Sequence, residues 1–291
     1  MIVVTGASGV TGVALLQALR RRNVPARAVV SRESSMAAVR EAGATEVVVG
    51  NLRDAADMRR ALEGASRVYH ICPRVSDDEL GIGRNVLAAA KANGLRQFVF
   101  HSLVHAQSET MLHHRDKRHV ELELIESGLP YTILKPTMYM QNLLWEWEAV
   151  TARGVYRLPY SEQSRMSLVD LDDVAEAGAT VLTQDGWEGG EFELCSGDNL
   201  TRVEMAAVLT EVLGRTVKAE TSTIEEWKPI GSRTRTPFQV DRVIRMFGHY
   251  DQIGLPGGNG RVLRMILGRA PTTYREAVRK MAAERGWKAP R

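Results

Sequence analysis

Short runs of consecutive apolar residues alternate along this chain with stretches whose apolar positions recur every three or four residues. Ile2 to Thr5 has the continuous pattern of a strand buried on both faces. Val10 to Arg22 puts Val13, Leu16 and Leu19 on one helical face. Arg20 to Arg22 fall in its last turn, where cations suit the helix dipole. Ala26 to Val30 is the next strand, Ser34 to Ala42 the next helix, and Glu46 to Val49 the third strand. Asp54 can cap a helix that runs to Leu62 and that Gly64 ends. Strands at Val68 to Cys72, Gln97 to Phe100 and Tyr131 to Leu134 continue the series, separated by helices over 79–93 and 114–127. Apolar strands alternating with helices predict an α/β fold with a doubly wound parallel sheet covered on both faces.

The pattern loosens after Pro136. A helix is expected from Tyr139 to Val150, a strand at Met166 to Val169, a helix from Asp172 to Leu182 and a strand at Phe192 to Leu194. Further helices near 201–213, 237–247 and 273–285 are joined by Gly/Pro-rich turns such as Leu255-Pro256-Gly257-Gly258. The expected organisation is a domain over 1–153 and a smaller C-terminal α/β subdomain over 154–291. Segments near 165–195 are expected to return to the first domain's sheet. The subdomain would cover the carboxyl ends of the strands, where open α/β sheets bind ligands.

Composition narrows the class rather than the function. With 44% hydrophobic and 25% charged residues, the chain has ordinary globular make-up. A net charge of +3 gives no reason to expect nucleic acid or an anionic membrane as partner. Cys72 and Cys195 fit no zinc or redox spacing, so a reduced, cytoplasmic protein is expected. The first strand is read from Ile2, so no signal peptide is expected. No apolar run approaches the roughly 20 residues that span a bilayer.

Chemistry enters at Gly6-Ala7-Ser8-Gly9-Val10-Thr11-Gly12, a glycine-rich turn that follows a strand and opens a helix. Glycines permit the tight turn and a close approach of backbone to phosphate, and the helix start offers its N–H groups to the negative charge. Gly6, Ser8, Gly9, Val10, Thr11 and Gly12 are therefore candidate contacts to the pyrophosphate of a dinucleotide. The turn is one residue looser than the usual fingerprint. At the end of the second strand an acidic residue favours NAD, and an arginine accommodates the 2′-phosphate of NADP. Arg32 stands there, so NADP(H) is favoured over NAD(H), although Glu33 beside it can also reach a ribose. Asn51 and Leu52 follow the third strand and would flank the adenine. Asn51 either bonds the ring amine or caps its own loop.

The run Val3-Val4-Thr5-Gly6-Ala7-Ser8-Gly9-Val10-Thr11-Gly12 resembles the start of the NmrA-like family, an atypical branch of the short-chain dehydrogenases/reductases. So do Gly50-Asn51-Leu52-Arg53-Asp54, where the family usually has Gly-Asp-Leu, and the stretch from Lys117 through Ser127-Gly128-Leu129-Pro130-Tyr131-Thr132-Ile133-Leu134-Lys135-Pro136. Gln141-Asn142-Leu143, Asp170 to Ala175 and Leu267-Gly268-Arg269-Ala270-Pro271 extend the likeness over most of the chain. The family includes NADPH-dependent reductases of quinones and dyes as well as non-catalytic redox sensors.

The resemblance implies a catalytic arrangement with one departure. Short-chain dehydrogenases use a serine after the fifth strand and a Tyr-x-x-x-Lys pair on the next helix. Ser102 and Lys117 stand where that serine and lysine would, with Lys117 holding the nicotinamide ribose. His113 replaces the tyrosine, one helical turn before Lys117. An imidazole can donate a proton near neutrality. Losing the tyrosine disfavours simple carbonyls, whose alkoxide needs a nearby acid, and suits a conjugated acceptor whose reduced anion is delocalised. Tyr139 and Met140, with Trp145 and Trp147, either wall an aromatic pocket or pack the fold. His101, His105, His113, His114 and His119 are not joined by a carboxylate or cysteine at metal-ligand spacing, so no metal is expected. Two functions stand at this point. One is an NADPH-dependent reductase of a small conjugated molecule. The other is a sensor of the NAD(P)(H) pool that signals to a regulatory protein partner. A homodimer is compatible with both.

Overall fold

A computed structural model of the chain describes residues 1–288. The first half alternates as its hydrophobic pattern dictates: β1 (Ile2–Val4), α1 (Val10–Arg21), β2 (Ala26–Val30), α2 (Met36–Ala42), β3 (Glu46–Val49), α3 (Ala55–Ala61), β4 (Arg67–His70), α4 (Glu79–Ala92), β5 (Gln97–His101), α5 (Leu112–Ile125) and β6 (Tyr131–Pro136). Then come β7 (Met138–Tyr139), β8 (Val155–Leu158), β9 (Met166–Val169), α6 (Leu171–Thr183), β10 (Gly190–Leu194), β11 (Asn199–Leu200), α7 (Arg202–Leu213), β12 (Lys218–Thr221), α8 (Ile224–Gly231), α9 (Pro237–Gln252), α10 (Gly260–Leu267) and α11 (Tyr274–Glu284).

Seven strands form one sheet in the order β10-β6-β5-β4-β1-β2-β3. The pairs β1–β2, β2–β3, β1–β4, β4–β5 and β5–β6 are all parallel. This is a doubly wound, Rossmann-type sheet. Successive strands run outward from β1 in one direction and from β4 in the other. The reversal between β1 and β4 opens a crevice at their carboxyl ends, the place where such sheets bind ligands. Val3, Val68, Phe98, Phe100 and Ile133 pack one face of the sheet against Met58, Val86, Val120 and Leu124 of its helices. Local signals set the helix ends. Asp54 caps α3 by accepting hydrogen bonds from the amides of Ala56 and Asp57.

The chain resolves into two compact units. The first comprises Met1–Ser108, His113–Lys135 and Val174–Glu193; the second comprises Glu109–Leu112, Pro136–Asp173 and the residues from Leu194 onward. The second unit differs in detail from the sequence expectation. Met166–Val169 does not extend the seven-stranded sheet. It is the centre of a three-stranded sheet, parallel to β7 and antiparallel to β11. An apolar run identifies a buried strand, but not its partner. Tyr139 to Val150 is not one α-helix either: Met140–Trp145 is a 3₁₀-helix and Ala149–Arg153 a π-helical turn that Gly154 ends at φ +68°. A tertiary bond accounts for the break. The Gln141 amide donates to Asp170 at 2.7 Å and accepts from the Leu171 amide at 3.0 Å, so this segment is shaped to cap α6. The parallel pair β8–β12 and the helices α8 and α10 carried no recognised sequence signal.

Candidate functional site

The glycine turn joins β1 to α1 on the crevice side of the first unit. Thr5 ties the two central strands together: its hydroxyl bonds His70 Nδ1 at 2.8 Å and accepts from the Ile71 amide at 3.1 Å. Gly6 then takes φ +61°, and a Cβ there would meet the Ile71 carbonyl oxygen at 2.6 Å. A side chain at Gly12 would meet the Ala7 Cα and the Gly6 oxygen at 2.6 Å, so helix and turn approach more closely than any other residue allows. Gly9 is the N-cap of α1 and supplies no side-chain acceptor, and the first turn holds no acidic residue. Ser8, Gly9 and Val10 are exposed, Val10 to 71%. An uncapped, uncharged helix start with an exposed valine fits the pyrophosphate of a dinucleotide, which would satisfy the amides and cover the apolar surface.

Arg32 follows β2. It is exposed and forms no ion pair among the described residues, whereas Glu33 opens the short helix Glu33–Ser35. Asn51 resolves its two sequence alternatives in part. Its side-chain oxygen accepts from the Arg53 amide at 3.0 Å, and its own amide donates to Asp57 at 2.8 Å, so it shapes the loop after β3. Leu52 is half-buried against the core under the sheet, and its carbonyl accepts from Asn85.

Lys117 lies on α5 with its ammonium largely withdrawn from water. Nζ donates to Glu79 Oε1 at 2.8 Å and to the His101 carbonyl at 3.3 Å, and stands 5.1 Å from the Phe100 ring centre. Burial alone would lower the pKa of this lysine. The charge and hydrogen bond of Glu79, with smaller contributions from Cys72 and Glu121, together outweigh burial and leave it above its ordinary value. Glu79 opens α4, directly after the loop that carries Cys72 from the end of β4. Burial, reinforced by Glu79, raises the Cys72 thiol and keeps it protonated. His70 and His101 are held neutral. Burial, and then the charge of Lys117, pushes both down to about 3.

Ser102 is 1% exposed, and its hydroxyl donates to Glu121 of α5. Glu121 in turn pairs with Lys135 at 3.1 Å. The hydroxyl at this position thus ties β5 to α5. His113 sits one turn before Lys117, its ring edge-on to His114 at 4.5 Å. His114 is buried, bonds the Val104 carbonyl and is driven well below its ordinary pKa by burial. Ser102, His113 and Lys117 all belong to the first unit, whereas Tyr139 and Met140 belong to the second. Tyr139 is half-buried on β7, and Met140 is buried to 2%. Trp145 is 63% exposed. Trp147 lies 5.8 Å from the Arg285 guanidinium. Sequence reasoning missed Glu79 and Glu121. Each is an ordinary helix carboxylate in the sequence, and only the fold brings Glu79 to a lysine 38 positions away.

The chain is similar in sequence and fold to known reductases. An NAD(P)H azoreductase of Xenophilus azovorans is 28% identical over 78% of this chain and 79% of its own length. A (4-alkanoyl-5-oxo-2,5-dihydrofuran-3-yl)methyl phosphate reductase of Streptomyces griseus subsp. griseus is 32% identical over 76% of each chain. An NADPH-dependent quinone oxidoreductase of Escherichia coli, solved in complex with NADPH, superposes with a TM-score of 0.84 over 97% of this chain and 99% of its own at 26% identity. A model of the NmrA-like family matches residues 1–260. With that match covering both units' main elements, the chain belongs to the NmrA-like family.

Proposed function

We propose that the chain is an NADPH-dependent reductase of a conjugated, electron-poor acceptor such as a quinone or a dye. The observation that carries this reading is on α5: a histidine stands one turn before Lys117, and the Lys117 ammonium is ion-paired with Glu79. In a Tyr-x-x-x-Lys site the free lysine charge lowers the pKa of a phenol that protonates an alkoxide. Here the phenol is replaced, the lysine charge is compensated, and the Ser102 hydroxyl points to Glu121. Such a site is poor at carbonyl chemistry. It suits an acceptor whose reduced anion spreads its charge over a ring or a conjugated chain and takes its proton from solvent.

When bound, the nicotinamide supplies the hydride. The residues of this chain bind and orient. Gly6, Ser8, Gly9, Val10, Thr11 and Gly12 receive the pyrophosphate at the start of α1. Arg32 provides the cation for a 2′-phosphate, so NADP(H) is preferred to NAD(H). Leu52 and the loop shaped by Asn51 flank the adenine, and Lys117 holds the nicotinamide ribose. His113 is a proton donor of secondary weight. Tyr139 and Met140 shape the acceptor side. The names of the relatives support the reading: an azoreductase, a reductase of an oxo-dihydrofuran and a quinone oxidoreductase all reduce conjugated molecules. These names weigh against the sensor reading. The test is steady-state oxidation of NADPH against a panel of quinones, azo dyes and simple ketones. Turnover with the first two and none with ketones is expected. Ketone reduction, or no turnover with any acceptor, would overturn the reading.

A further inference from the structure

We propose that Glu79 is a positioning residue for nucleotide binding, which fixes the Lys117 ammonium in its charged form at the carboxyl end of β5. The proposal rests on the reading that Lys117 contacts the nicotinamide ribose, and goes beyond it by assigning the group that makes the contact strong. The pair is nearly sealed from water: the side chains of Lys117 and Glu79 are 14% and 5% exposed, and Nζ–Oε1 is 2.8 Å. A lysine is a flexible four-carbon stem with three rotatable donors. Two of the donors are held here, by Glu79 and by the His101 carbonyl, so the third has a fixed direction before any ligand arrives. Ordering the stem in advance removes an entropic cost that binding would otherwise carry.

The groups facing Lys117 leave Glu79 as its countercharge. Cys72 approaches from the loop after β4, His70 from β4, His101 and Phe100 from β5, and Glu121 from the next turn of α5. The thiol is protonated and both imidazoles are neutral above pH 6, by the shifts already described. Glu121 is already engaged by Ser102 and Lys135. Without the carboxylate of Glu79, burial loses its largest opponent at Lys117, and only the smaller contributions of Cys72 and Glu121 still hold the ammonium against its neutral form. The consequence is a pH dependence of affinity, not merely a weaker fold.

The test is the affinity for NADPH between pH 7 and 9, followed by fluorescence in the wild type, Glu79→Gln, Glu79→Asp and Lys117→Ala. The 2′-phosphate ionises near pH 6, below this window. Wild type and Glu79→Asp should bind with little dependence on pH. Glu79→Gln should lose about tenfold in affinity by pH 9, because its lysine deprotonates in the window. Lys117→Ala should be weak at every pH. A Glu79→Gln protein as indifferent to pH as the wild type, whether equally tight or uniformly weaker, overturns the proposal and leaves the ribose reading standing. Normal affinity in Lys117→Ala removes the ribose reading itself. A measurement on the wild type covers the case in which Glu79→Gln does not fold. The ¹³Cε resonance of Lys117 should titrate above the ordinary lysine range, and a midpoint below that range contradicts the role given to Glu79.

Discussion

Arg269 reaches across 96 positions of sequence to Asp173, its guanidinium 2.6 Å from a carboxylate that is 1% exposed. The same carboxylate accepts from the Thr272 amide at 2.6 Å and from its hydroxyl at 3.1 Å. The pair joins the start of α6 to the segment that leads into α11. Arg269→Ala takes from a buried carboxylate its half-exposed charged partner but leaves it the Thr272 bonds, a change that costs about 1–2 kcal/mol. Arg269→Lys should recover only part of that, because one ammonium cannot match the planar fork. Urea unfolding of the three proteins checks this. Equal midpoints would mean that the pair is idle.

The hydroxyl of Ser102 bonds Glu121, so a substitution there can separate stability from catalysis. Ser102→Ala should destabilise the fold by roughly 1–3 kcal/mol, since Glu121 loses a buried donor. Turnover of a quinone at saturating NADPH should change by less than about fivefold, far below the hundredfold or more typical of losing a general acid. A collapse of kcat with an unchanged melting temperature would return Ser102 to the chemistry.

Much of this site was readable in the sequence, and the part that was not has a common cause. Gly6 and Gly12 announce themselves because a tight turn against Ile71 and Ala7 excludes a side chain there, which is a local constraint with a local signature. The strands β1 to β6 are legible for the same reason, each being a short apolar run with polar ends. Glu79, Glu121 and Gln141 act across the fold, on Lys117, on Ser102 and on the start of α6. Nothing in their neighbourhoods distinguishes them from solvated carboxylates and amides. The partner of Met166–Val169 was hidden in the same way, because pairing is a property of the fold and not of the strand.

Two buried histidines make stability fall in acid. His70 and His101 have folded pKa values of about 3, against about 6.5 in an unfolded chain. The unfolded chain therefore binds more protons below pH 6.5. The stability gained by keeping the imidazoles neutral is fully present above that pH, and is lost as pH falls through 6.5 toward 3. Each should cost about 2 kcal/mol between pH 6.5 and 5. Denaturant midpoints measured at pH 7, 6 and 5 should drop accordingly, and His70→Phe, which retains a ring against Phe100, should flatten the slope. A stability constant over this range would mean that both imidazoles are charged in the fold.

Arg32 is exposed and forms no ion pair among the described residues, so its charge is available to a ligand. A charge-assisted hydrogen bond to a 2′-phosphate is worth roughly 1.5–3 kcal/mol, which is about ten- to a hundredfold in affinity. Arg32→Ala should weaken NADPH by that factor and leave NADH almost unchanged. Titration of both nucleotides against both proteins decides the matter. Equal wild-type affinities for the two would sink the assignment.

His113 distinguishes the kinds of acceptor. It stands one turn before Lys117 and stacks edge-on to His114. If the acceptor is a quinone or an extended dye, the anion formed by hydride addition is delocalised and solvent protonates it. His113→Ala should then lower kcat by less than about tenfold, since general acid help that is not needed contributes little. If the acceptor were a simple carbonyl, an alkoxide would form beside the helix with no phenol to protonate it. The imidazole would then be the remaining acid on that helix face, and its loss should cost roughly a hundred- to ten-thousandfold. Affinity for NADPH should be unchanged in either case, because the proposed ribose contact is made by Lys117. Lys117→Ala should show the opposite pattern, with weakened binding whichever acceptor is used. Measuring kcat with a quinone and with a ketone, and the NADPH affinity, in both variants therefore isolates the proton from the cofactor. A His113→Ala protein that loses quinone reduction by more than a hundredfold would place the imidazole in the reaction and show that the acceptor's anion is localised after all.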